Sequence, residues 1–234
     1  ATLAAIRPGR GAPARTRAAI AVFQRALAAF DRAVASFAER WGATDLPIAY
    51  RDGGLDALRS IGRDPATWQW TARHQAAVTA LTAGYYTDLM GRLGEAMRRA
   101  RAFLRAAVDA TRRPDGPDTA GLLRDHPLDT VVYANSARHP VHAWATSALM
   151  WQGVLTANRG TVNTAAWDAD VEWMEVADGP ECGWVSHPDH DRAHGTIRSV
   201  DECAAYPAAH HGCIREFFPR PDLNGRTGLE GAHT

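Results

Sequence analysis

The sequence predicts an α+β fold, with a mainly α-helical N-terminal part followed by a small β-rich C-terminal lobe. Apolar side chains recur at helical spacing in several long stretches before about residue 160, and this periodicity is lost afterwards. All three cysteines and most of the histidines lie in the last quarter of the chain. A segment so poor in apolar periodicity cannot build much of a core alone, so something must staple it or it must pack on the helical part.

Composition changes predict four segments. Gly, Pro and Arg residues make 1–13 a flexible lead-in, and the helical patterns occupy 14–165. The Cys/His-rich lobe covers 166–221, and the polar, Gly-rich residues 222–234 form a flexible tail.

Two long helices are predicted in the N-terminal part. The first has a 3-4 heptad seam, which favours a core-facing helix over an intermolecular coiled coil. The seam consists of Ile20, Phe23, Leu27, Phe30, Val34, Phe37 and Trp41. The second helix begins after Thr71, a plausible N-cap, and runs to about Arg112. Its apolar face consists of Val78, Leu81, Tyr85, Leu89, Leu93 and Met97.

The remaining elements are shorter. Residues 46–50 suggest an extended piece, followed by a turn at Asp52-Gly53-Gly54. A short strand or connector is predicted over 128–133, and a helix over 140–158 that ends at Asn158-Arg159-Gly160. Alternation of Val171, Trp173 and Val176 with polar neighbours favours a strand.

Charge and composition argue against several classes of protein. The 26 basic and 26 acidic residues balance, which does not favour a strongly basic surface that coats nucleic acid. One basic run on the second long helix is either a solvated face or a contact with DNA or a partner. The run consists of Arg98, Arg99, Arg101, Arg105, Arg112 and Arg113. No apolar run approaches the ~20 residues of a membrane helix. Three cysteines do not make a disulfide framework, and their clustering fits an intracellular protein better than a secreted one.

Two short Cys/His stretches have the spacing of metal ligands. Cys182 and His187 are separated by four residues, and His210 and Cys213 by two. Two close pairs separated by a loop are a common way to hold zinc, which suits mixed thiolate and imidazole ligands. Four protein ligands would close the site and make it structural.

The spacing leaves alternatives open. The cysteines could instead be packed thiols with surface histidines around them. Nearby residues could replace one of the four ligands, namely Cys203, His190, His194 and His211. A zinc-stapled nuclease could recruit His194 and Asp191, although the residue order of an HNH motif is missing.

The run from Val171 to Pro221 resembles the C-terminal domain of phage minor head proteins of the Mu F type, in the actinobacteriophage version. The matching positions are Asp178, Gly179, Cys182, Gly183, Trp184, His187, Gly195, Thr196, Arg198, His210, Cys213, Arg215, Arg220 and Pro221. The chain departs at His211, where the family usually has Pro. Residues 68–90, 128–139 and 156–163 are also similar, whereas the stretch 98–127 looks shorter than in the family.

This resemblance implies a structural virion or prophage protein without enzymatic activity. Such proteins enter the capsid near the portal and act in head assembly or DNA delivery. Their partners would be the portal protein and/or the major capsid protein, with packaged DNA as a further contact and no membrane. The location would be the inside of the virion near the portal, and the host cytoplasm during assembly.

The resemblance also strengthens the prediction of a structural zinc ion held by Cys182, His187, His210 and Cys213. The rival expectation is a metal-dependent nuclease or a DNA-binding module stapled by zinc.

Overall fold

The structure, a computed structural model, describes residues 14–113, 118–128, 130–132, 138–179, 193–209 and 212–233. These residues form mainly α-helices, together with a small three-stranded antiparallel sheet. The predicted α+β class is therefore confirmed. No helix in the described part of the chain is long and apolar enough to cross a membrane.

The elements follow one another in a simple order. The helices are α1 (Ala14–Arg40), α2 (Leu46–Ser60), α3 (Ala72–Ala110), α4 (Thr119–Asp125), α5 (Val141–Asp168) and α6 (Val200–Ala205). A π-helical turn, Trp41–Asp45, links α1 to α2, and 3-10 turns cover Pro65–Thr67 and Pro221–Leu223. The strands are β1 (Thr130–Val132), β2 (Arg138–Pro140), β3 (Trp173–Ala177), β4 (Ile197–Ser199) and β5 (Glu216–Pro219). Strands β1 and β2 pair with each other, and β3 lies between β4 and β5, all antiparallel.

The chain divides into two compact units. The first unit comprises Ala1–Arg40 and Tyr86–His142, and the second comprises Trp41–Tyr85 and Ala143–Thr234. Helix α3 contributes its N-terminal part to the second unit and its C-terminal part to the first. The boundary predicted between residues 165 and 166 falls inside α5.

The first unit has a small core. Phe103, Ala107 and Ala110 of α3 pack with Leu122 of α4, and Phe23 of α1 contacts the Phe103 ring with centroids 5.7 Å apart. Most of the heptad seam of α1 is only half-buried, and Phe30 is 47% exposed. The helix predicted from the seam is confirmed, but its apolar stripe is only partly covered.

The second unit has the larger core. Val162 and Ala165 at the end of α5 pack against Met174 and Val176 of β3 and against Phe217 of β5. The helix therefore supplies the apolar surface that the Cys/His-rich lobe lacks on its own.

Two predictions in this unit are wrong, namely the extended piece and turn over 46–54 and the helix end at Asn158-Arg159-Gly160. Residues 46–54 are helical throughout, and α5 continues past Asn158–Gly160 to Asp168. The glycines serve close helix packing instead of turns. A Cβ on Gly53 would lie 2.0 Å from the Ala157 carbonyl oxygen, and one on Gly160 would lie 1.9 Å from the Tyr50 carbonyl oxygen.

Other predicted elements are confirmed. The Thr71 Oγ1 accepts a hydrogen bond from the His74 amide (3.3 Å), and α3 ends two residues before the predicted Arg112. Strands occur at Thr130–Val132 and Trp173–Ala177.

The sequence predicts a loose tail from residue 222, whereas the structure shows this segment hydrogen-bonded to the sheet region. The Asn224 side chain bonds the backbone of Asp170 and Glu172 (2.6 and 3.0 Å). Further along, Gly231 and Ala232 form two backbone hydrogen bonds with Ile197 of β4 (2.9 and 2.8 Å).

Candidate functional site

Most of the predicted zinc ligands lie outside the described residues. Of the four, the structure describes only Cys213, which is buried. No group of three or more metal-binding side chains occurs among the described residues, which do not include Cys182, His187 or His210. The four-ligand assignment therefore stays a prediction.

The structure describes the two strands, β3 and β5, that flank the Cys/His stretches in the sequence. Strands β3 and β5 are antiparallel, and Ala177 pairs with Glu216 at one end of the ladder. Just beyond this pair, Arg215 donates two hydrogen bonds to Asp178 Oδ2, from Nε (2.9 Å) and Nη2 (2.6 Å). Cys182 follows Asp178 by four residues and Cys213 precedes Arg215 by two, so the described residues that lead to the two stretches lie at the same edge of the sheet.

The Asp178–Arg215 ion pair is fully buried, with side-chain exposures of 0% and 1%. Arg215 Nη1 also donates to the Tyr206 carbonyl (2.9 Å). The Asn158 amide donates to the carbonyls of Pro207 and Arg215 (2.8 Å each), which ties this edge to α5. Desolvating two charges is costly, so such a pair persists only where further hydrogen bonds hold its geometry.

One carboxylate oxygen of the buried ion pair lacks a hydrogen-bond donor. Asp178 Oδ1 is buried and has no hydrogen-bond partner among the described residues. A buried carboxylate oxygen without a donor is costly, and it marks the place where a donor group would be stabilising.

His194 lies beside this carboxylate, with its Nδ1 4.0 Å from Asp178 Oδ1. Its Nδ1 accepts hydrogen bonds from the amides of Asp178 (3.2 Å) and Gly179 (3.1 Å). An imidazole whose Nδ1 accepts carries its proton on Nε2. With Nδ1 occupied by these two amides, this arrangement does not favour His194 as a general base.

Cys203 is also unsuited as a replacement ligand. It belongs to the apolar core of the second unit, next to Val162 and Phe217. Burial, with a smaller contribution from the negative charge of Glu202, raises the pKa of the Cys203 thiol to about 12. Zinc binds the thiolate, so this cysteine acts as a core side chain. The other candidates, His190, His211 and Asp191, lie outside the described residues.

A second polar cluster, which no sequence pattern predicts, joins the helices of the second unit. Buried His74 on α3 contacts the Tyr50 hydroxyl through Nδ1 (2.9 Å) and Asp168 Oδ2 through Nε2 (2.9 Å). The Asn163 amide donates to the same hydroxyl (2.8 Å). Both ring nitrogens of His74 are hydrogen-bonded when the Tyr50 hydroxyl donates to Nδ1 and the Nε2–H group donates to the Asp168 carboxylate.

Aromatic rings surround this cluster. Trp68, Trp167 and Tyr50 all lie with ring centroids within 5.7 Å of His74, and Trp70 stacks on Tyr50 at 6.0 Å. Burial raises the pKa of Tyr50 to about 12. Because His74 and Tyr50 are both 0% exposed, their hydrogen bonds join α2, α3 and α5 within the core of the second unit. The sequence does contain one indication that His74 is buried: it lies one turn before Val78, on the apolar face of α3.

Comparison of the chain with protein families, with curated proteins and with solved structures found no match.

Proposed function

We propose that this chain is a structural protein of a phage head that acts near the portal in head assembly or DNA delivery. A zinc ion held by Cys182, His187, His210 and Cys213 would close its C-terminal lobe. The motif resemblance of residues 171–221 supports the head-protein assignment. The portal protein and/or the major capsid protein would be its partners, inside the virion.

The observation that best supports the zinc part is the pairing of Ala177 with Glu216. Because of this pairing, the chain that leads to Cys182 and the chain that comes from Cys213 meet the sheet at the same edge. A few residues of chain can then bring the two pairs together, so little chain entropy is lost for each ligand.

The chemistry of this edge also fits zinc. Thiolate and imidazole are the ligands zinc prefers, and bound zinc would supply a cross-link that a small lobe cannot obtain from its own core. A metal-bound histidine usually donates its other ring N–H to a carboxylate. Asp178 Oδ1 is a buried acceptor in need of such a donor, four residues before Cys182.

Elemental analysis of the purified chain tests the zinc site. We expect about one zinc per chain, and loss of the metal in Cys182→Ala, because one missing thiolate opens a four-ligand site. Cys203→Ala is the matched control and should keep its zinc, since that thiol belongs to the core. Metal-free protein, or equal zinc in Cys182→Ala and the parent, would contradict the assignment.

Mass spectrometry of phage particles purified from the source cells tests the head-protein part. We expect the chain inside the particles in few copies, protected from protease until the heads are opened. Particles that lack the chain while it accumulates in the cell extract would refute this part without affecting the zinc result.

A further inference from the structure

The zero net charge of the chain conceals a strong separation of charge between the two units. The first unit contains 16 arginines and nine acidic residues, a formal charge of +7, whereas the second contains ten arginines and 17 acidic residues, a formal charge of −7. The first unit therefore has the basic charge that favours an anionic partner such as nucleic acid, although the chain as a whole does not.

One row of exposed arginines in the first unit, the arginine stripe, runs along the C-terminal part of α3 and into the turn that follows it. It is formed by Arg98, Arg101 and Arg105 of α3 and by Arg112, two residues after the helix ends. At 3.6 residues per turn these four positions fall within about 60° of the helix circumference, and they extend over roughly 21 Å. All four are exposed. The apolar residues Phe103 and Ala107 of the same helix point into the core, so the stripe faces away from it.

The centre of the stripe has uncompensated charge. Arg98 pairs with Glu95, and Arg112 lies 3.8 Å from Asp109. No ion pair within the described residues involves Arg101 or Arg105, which lie one helical turn apart. Two adjacent exposed guanidinium groups without a carboxylate match the spacing and chemistry of a phosphate backbone.

We propose that the arginine stripe of α3 binds the phosphate backbone of double-stranded DNA without reading its sequence. A straight duplex segment of ~21 Å carries about 12 phosphate charges, enough to face all four arginines. The stripe contains no aromatic side chain, whereas proteins that bind single strands add stacking rings to their basic groove. This surface would bind DNA whether or not the chain acts in a phage head.

Fluorescence anisotropy with a labelled duplex of about 20 base pairs, titrated with the full chain at several salt concentrations, tests the proposal. We expect log Kobs to fall with log salt with a slope of about −3 to −4, one phosphate per arginine. Arg101→Gln/Arg105→Gln should weaken binding at least about tenfold at ~0.1 M salt and reduce the slope by about 2.

The matched control is Arg51→Gln/Arg59→Gln, two exposed arginines on α2 of the acidic unit. It should bind DNA within about twofold of the parent. Circular dichroism of both variants checks that α2 and α3 stay folded.

Three results would overturn the proposal. The first is no duplex binding at about 50 mM salt, and the second is equal loss in the stripe variant and its control. The third is tighter binding to a single strand of the same sequence.

Sedimentation completes the test. Parent self-association that disappears in the stripe variant, without DNA binding, would assign the stripe to the acidic unit of a second copy.

Discussion

The two units of this protein differ in how they are held together as well as in charge. Among the described residues, ten of the eleven buried polar or charged side chains belong to the second unit, and only Thr111 belongs to the first. The first unit relies on a few apolar contacts between α1, α3 and α4. The second depends on hydrogen-bonded and closely packed groups with few tolerable replacements, so single substitutions should affect it far more.

The tryptophans make this comparison measurable. All eight belong to the second unit: Trp41, Trp68, Trp70, Trp144, Trp151, Trp167, Trp173 and Trp184. Tryptophan fluorescence during urea unfolding therefore reports on the second unit, whereas far-UV circular dichroism reports on the helices of both.

The largest effect should come from the buried ion pair. Arg215→Met leaves Asp178 charged and buried without its partner, and we expect a loss of about 3–5 kcal/mol in the free energy of unfolding of the second unit. Urea titration followed by tryptophan fluorescence measures it.

The control for this change is Arg220→Gln. Arg220 pairs with Glu175 and Asp222 but is 29% exposed, so its loss should cost no more than about 1 kcal/mol. Similar costs for the two variants would show that the ion pair is not the feature that distinguishes the second unit.

The next largest effect should come from the helix crossing. Gly160→Ala places a methyl group against the Tyr50 carbonyl oxygen, which cannot move away without shifting α2, and we expect a loss of about 3 kcal/mol. Gly153→Ala on the same helix meets no atom within 4 Å and should gain about 0.5–1 kcal/mol from helix propensity. Fluorescence-detected urea unfolding separates the two. A neutral Gly160→Ala would mean that the helices do not cross this closely in solution.

This glycine pair also shows what the sequence could not reveal. The long helices α1 and α3 could be predicted because apolar spacing is a local signal. Gly53 and Gly160 are locally indistinguishable from turn or stop residues. Their role depends on Ala157 and Tyr50, more than 100 residues away in each case.

The same limit applies to the candidate site. Spacing suffices to propose Cys182, His187, His210 and Cys213, because ligand pairs within one turn are a local pattern. It cannot place Asp178 opposite Arg215, since that contact depends on the register of β3 and β5. Nor can it separate Cys203 from the proposed ligands, because burial of Cys203 is visible only in the folded chain.

The smallest effect concerns the pH dependence of the second unit's stability. Folding raises the pKa of Cys203 from 9.0 to about 12, so the folded chain keeps this proton to a higher pH than the unfolded chain does. The stability that the neutral thiol contributes is complete below about pH 9 and is lost as the pH rises toward 12. Tyr50, with its pKa raised from 10.0 to about 12, adds the same trend above about pH 10.

The free energy of unfolding should therefore fall between about pH 8 and pH 10 in both proteins, and the fall should be about 1 kcal/mol smaller in Cys203→Ala than in the parent. The comparison uses the change with pH in each protein, so the packing cost of the substitution cancels. Fluorescence-detected unfolding should show this difference because the tryptophans share a unit with Cys203. Parallel pH profiles for the two proteins would mean that water reaches this thiol, and that the second unit's core is more open than its burial indicates.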